Sequence, residues 1–107
     1  MNISPKILEA MKDPERLIDP KQIVNIRIQL AELVDALKGD IFEQRLKVSQ
    51  RLSEIRVDVN SDTIAKAKLE QEPVWRELHE LIRLKERLNG FRADLKDKLF
   101  LITGQKW

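Results

Sequence analysis

From Val74 to Ile102 the apolar residues Val74, Leu78, Leu81, Leu84, Leu88, Phe91, Leu95, Leu99 and Ile102 recur at steps of three or four without a lapse. That is the period of an α-helix; a strand would alternate every second residue. Pro73 fits the first helical position, where its missing N–H is not needed, and Thr103-Gly104 supplies the stop. Asn89-Gly90 is a turn dipeptide in isolation, yet a reversal there would break a register that continues through Phe91 and Leu95, so Gly90 is read as a helix residue. A helix over 73–101 is roughly 43 Å long at about 1.5 Å per residue. A compact chain of this size has a radius of gyration near about 13 Å. The helix must therefore project, or pair along its length with another.

The segment able to match it begins at Asp19-Pro20-Lys21-Gln22, where Asp19 can cap, Pro20 occupies the first turn and Gln22 can complete a capping box. Ile23, Ile26, Leu30, Leu33, Val34, Leu37 and Ile41 follow, then Val48, Leu52, Ile55 and Val59. The seam changes phase between Ile41 and Val48, and Lys38-Gly39-Asp40 lies just before, so a kinked or briefly interrupted helix is expected there. Upstream, Ser4-Pro5 starts a short helix carrying Ile7, Leu8 and Met11, and Asp13-Pro14 stops it. Downstream, the chain should turn near 58–62, Ser61 or Asp62 capping a helix with Ile64, Ala65, Ala67 and Leu69. The expected organisation is a short N-terminal helix and connection over 1–18, a helical hairpin or bundle domain over 19–102 with helices near 20–38, 40–58, 62–71 and 73–101, and a tail over 103–107.

The fold class is thus all-α: a long antiparallel helical hairpin with coiled-coil character plus the short N-terminal helix. Two helices cover only one side of each other. Ile23, Ile28, Phe42, Leu46, Trp75, Ile82 and Phe100 widen the apolar stripe beyond a two-position heptad, which calls for a third helix or another subunit. A homo-oligomer, most simply a dimer, meets that need. The interface residues expected are Leu78, Leu81, Leu84, Leu88, Phe91 and Leu95. The competing arrangement is a monomeric bundle with turns at both Gly39 and Gly90.

Composition narrows the function more than it identifies it. The 107 residues contain no cysteine, which excludes disulfides and thiolate chemistry, and one histidine, His79. No apolar run reaches the ~20 residues of a membrane span, and Met1–Met11 lacks the apolar core of a secretory signal, so a cytoplasmic location without membrane contact is expected. The three glycines form no phosphate loop, and neither Glu77 nor Glu80 faces His79 at ligand spacing. No cofactor, metal or catalytic constellation emerges, and a noncatalytic protein is expected. His79 and Trp75 read as residues of the groove and core, while Trp107 is terminal.

Charge offers a second reading. Twenty Lys and Arg stand against eighteen Asp and Glu, and the whole excess lies after residue 54. Arg45 and Arg51 sit in one basic stretch; Arg83, Arg87, Arg92 and Lys96 sit in another, with Arg83–Arg87 and Arg92–Lys96 as like-charge pairs one turn apart. These six are the candidate contacts to nucleic-acid phosphates. The order of capped helix, polar turn and long helix beginning Pro73-Val74-Trp75 and running through Gly90-Phe91 resembles that of small phage recombination-mediator proteins, over about 80 residues and without a diagnostic motif. The resemblance implies a helical oligomer that binds single-stranded DNA and assists a recombinase. Two functions are therefore carried forward: a noncatalytic assembly or adaptor protein working through itself or an unknown protein partner, and a nucleic-acid-binding accessory protein.

Overall fold

The computed structural model describes residues 3–104, and all secondary structure among them is helical. Four α-helices are present: α1 (Pro5–Lys12), α2 (Pro20–Asp58), α3 (Asp62–Glu70) and α4 (Pro73–Thr103), with one 3-10 turn at Pro14–Arg16. Among the described residues no helix is long and apolar enough to cross a membrane.

Helix boundaries follow the punctuation of the sequence. Asp19 Oδ1 accepts the Lys21 N–H at 3.0 Å ahead of α2, and the Ser61 hydroxyl oxygen accepts the Ile64 N–H at 3.4 Å ahead of α3. Each satisfies one of the donors that a helix start leaves unpaired. Asp13, the residue before Pro14, leaves the helical region with φ −138° and ψ 71°, and α1 ends at Lys12. Gly104 closes α4 with φ near 70°, donating its N–H to the Phe100 carbonyl at 2.8 Å. Ser4 departs from expectation in one respect, since its side chain makes no capping hydrogen bond.

The interruption expected at Lys38-Gly39-Asp40 is absent. Helix α2 runs through all three residues, so helices 20–38 and 40–58 are one element. The apparent change of phase has another cause. Gln44 occupies the core position between Ile41 and Val48 and is 7% exposed, so the seam continues through a polar residue that apolar counting skips. Gly90 lies inside α4, as the register demanded.

The chain forms two compact units, and α2 and α4 contribute to both. One comprises residues up to Ala36 together with those from Glu86 onward; its buried side chains include Ile7, Leu17, Ile23, Leu30, Leu88, Leu95 and Leu99. Lys98 Nζ donates to the Pro14 carbonyl there, tying α4 to the 3-10 turn. The other unit, Leu37–Lys85, is organised around Ile41, Val48 and Ile55 of α2, Ala65 and Leu69 of α3, and Leu78 of α4, with Leu52, Val59, Val74, Trp75, Leu81 and Ile82 packed against them. Short α3 thus supplies the third wall that a two-helix pair lacks.

Candidate interaction surfaces

The regular seam of α4 is the first place to look for an interface, and its own chain covers most of it. Leu78, Leu88, Phe91 and Leu95 are buried, while Leu81 and Leu84 are half-buried. Leu78 belongs to the three-helix cluster with Leu81 packed beside it. Leu78, Leu88, Phe91 and Leu95 are thus core residues of the single chain, while Leu81 and Leu84 keep part of their surface open.

Exposed apolar residues are present elsewhere. Of the positions that widened the stripe in the sequence, Ile23 is buried and Trp75 and Ile82 are half-buried against the cluster, but Ile28, Phe42, Leu46 and Phe100 are exposed. Phe42 and Leu46 lie one turn apart on α2, 64% and 58% exposed. At 100° per residue they fall on the side of α2 roughly opposite Ile41, Val48 and Ile55. Helix α2 thus carries two apolar stripes. Sequence spacing alone merges them into one broad face, because Ile41 and Phe42 are adjacent and Leu46 and Val48 are two apart.

The basic candidates divide three and three between the units: Arg45, Arg51 and Arg83 in Leu37–Lys85, and Arg87, Arg92 and Lys96 in the other. Arg45, Arg83, Arg87 and Lys96 are exposed. Arg51 is already engaged. Its Nε and terminal nitrogen grip both Glu72 oxygens at 2.8 Å, and its other terminal nitrogen reaches Glu54 at 3.0 Å. The two carboxylates raise the guanidinium's pKa, and Arg51 holds the Glu72 carboxyl below its ordinary value, chiefly by hydrogen bonding. A cation neutralised by a bidentate partner has little left to offer a phosphate. Arg92 is half-buried, with an Nε that finds no hydrogen-bond partner.

Glu72 immediately precedes α4, so Arg51 fastens the α3–α4 turn to α2. Gln44, two turns earlier on α2, does the same one step further along. Its Nε2 donates to the Val74 carbonyl at 3.0 Å and to Glu77 Oε2 at 3.3 Å. Neither residue announced this role in the sequence; the only clue to Gln44 was the gap it fills between Ile41 and Val48.

His79 stacks on Trp75 with ring centroids 4.4 Å apart and the planes tilted by 49°. Its Nε2 is buried without a hydrogen-bond partner. Among the described residues no group of three or more His, Asp or Glu side chains is arranged to hold a metal ion. A cleft of about 430 Å³ in the first unit runs between α1, the 3-10 turn and α2, over Ala10, Leu17 and Ile26. Its rim mixes Lys6 and Lys12 with Glu9 and so favours no one charge class. Trp107 lies outside the described residues. No protein-family model, curated protein or solved structure matches the chain.

Proposed function

We propose that this protein is a noncatalytic helical assembly or adaptor protein that works through self-association and protein–protein contacts. The reading includes a hairpin of α2 and α4 with coiled-coil character, completed by association. The observation that carries it is the apolar stripe on the outer side of α2: Phe42 and Leu46 remain exposed after the regular seam has been covered. Large apolar side chains grouped on one helix face are what a partner surface supplies and a solvated face does not. Sedimentation of the native chain from micromolar to submillimolar concentration tests the reading. The expected mass rises above the 12.6 kDa of one chain; a single-chain mass throughout that range overturns self-association.

A second reading, an accessory protein contacting the phosphates of single-stranded DNA, draws support from Arg83 and Arg87. They are exposed like charges one turn apart on α4, an arrangement that an anionic partner would relieve. The likeness to phage recombination mediators belongs to this reading. Arg45 and Lys96 complete its contact set, while Arg51 and Arg92 contribute less because of their surroundings. Anisotropy of labelled single- and double-stranded DNA during a salt titration decides it, since phosphate contacts weaken steeply with salt. No binding at about 50 mM salt removes the reading.

A further inference from the structure

Within the unit Leu37–Lys85, Gly39, Phe42, Leu46, Ser49 and Ser53 succeed one another on α2 at steps of three, four, three and four. Side chains at those steps share one helix face, and all five residues are exposed. Gly39 stands within the helix with open space where a Cβ would lie and without a positive φ, so nothing in its own chain calls for glycine there. The Ser53 hydroxyl donates to the Ser49 carbonyl at 3.2 Å, so that donor is already satisfied inside the helix and need not face water. This face combines two large apolar side chains with three small residues that let another backbone approach.

The flanks say what that backbone is. Lys38 and Arg45, seven residues apart, border one side of the stripe; Glu43 and Gln50, also seven apart, border the other. In a parallel pair of helices a flanking residue meets the residue five positions later on the opposite flank of its neighbour. Two copies of this helix laid parallel therefore set Lys38 against Glu43 of the second copy and Arg45 against Gln50. An antiparallel pair instead brings like flanks together, Lys38 and Arg45 against the same two cations.

We infer that the Gly39–Ser53 face of α2 is the seam of a parallel two-fold dimer, with a second copy of this chain as its occupant. The inference rests on the self-association reading above and adds its face, direction and register. Two heptads in which only Phe42 and Leu46 of the five central positions are large and apolar make a weak dimer. It can form because folding has already set the helix, which an isolated peptide of this length would have to order on binding.

The absence of cysteine makes the test direct. S49C and S53C are introduced singly, with K66C at an exposed position of α3 as control, and each is oxidised mildly and weighed under denaturing conditions. Both seam variants are expected to yield disulfide dimers and the control to remain largely single. An antiparallel pair brings at most one of the two positions to its axis. In parallel, F42D is expected to raise the dimer dissociation constant about tenfold or more while the circular dichroism of the chain is kept, since Phe42 is exposed in the monomer. A native chain that dimerises but links S49C and S53C no better than K66C overturns the seam and leaves self-association standing. A chain that stays single at every concentration overturns both.

Discussion

At the scale of single residues, two polar side chains decide how α4 begins. Gln44 is buried and donates to Val74 and Glu77, so shortening it opens a gap and removes the amide that tethers the start of α4 to α2. Gln44→Ala is expected to cost about 1–3 kcal/mol in urea unfolding, whereas Gln44→Leu, which fills the space among Ile41, Val48 and Leu78, should cost less. Glu72 is held below its ordinary pKa by Arg51. A carboxyl depressed in the folded state stabilises fully above its unfolded value, about 4.3, and that contribution is lost as pH falls through the lower folded value. Acid titration of unfolding midpoints should therefore show a loss of stability below about pH 4 that Glu72→Gln flattens. An unchanged acid limb in Glu72→Gln would show that the Arg51 pair does not contribute. Neither side chain stands out in the sequence, because their partners lie 21 to 33 residues away.

At the scale of elements, the helices and their ends were readable, and the break expected at Gly39 was not there. Asp19, Ser61 and Gly104 act through neighbours within a few residues, and local chemistry of that kind survives any tertiary arrangement. Gly39 invited a break because glycine weakens helices, by about 1 kcal/mol relative to alanine. A cost of that size is smaller than what the buried residues on either side of it, Leu37 and Ile41, recover by staying in one register. Gly90 offers the same lesson with a cleaner test. It is helical, exposed and has open space beside it, so Gly90→Ala should raise stability by about 0.5–1 kcal/mol in chemical denaturation. Gly104→Ala should do the opposite, shortening α4 by a fraction of a turn, because its φ of 70° suits glycine alone among unstrained choices. Equal effects of the two substitutions would contradict the assignment of one to a helix and the other to its end.

At the scale of the whole molecule, the apolar residues fall into two sets that periodicity counts as one. Leu88 is fully buried and Phe42 is mostly exposed. Leu88→Ala is expected to destabilise the chain by about 2–5 kcal/mol, through lost burial and the cavity left behind. Phe42→Ala should change the unfolding of the dilute chain by no more than about 0.5 kcal/mol, and under the proposed self-association its effect falls on the dimer. A reversal of that order would contradict the burial of Leu88 and the exposure of Phe42.

The pattern of apolar steps in Pro73–Thr103 and Pro20–Asp58 was enough to determine an all-helical chain, its start and stop residues, and the continuity of α4 through Gly90. These are local properties, set by which side chains share a helix face and which backbone groups need a cap. Only the tertiary structure decided which stripe is covered. Helix α3 and the opening turns of α4 close over Ile41, Val48 and Ile55, leaving Phe42 and Leu46 outside. Burial depends on where distant segments come to rest, and residues one step apart in sequence point 100° apart on a helix. For the same reason Arg51, a cation like any other in the sequence, becomes the clasp of a turn, and Gln44 becomes part of the core.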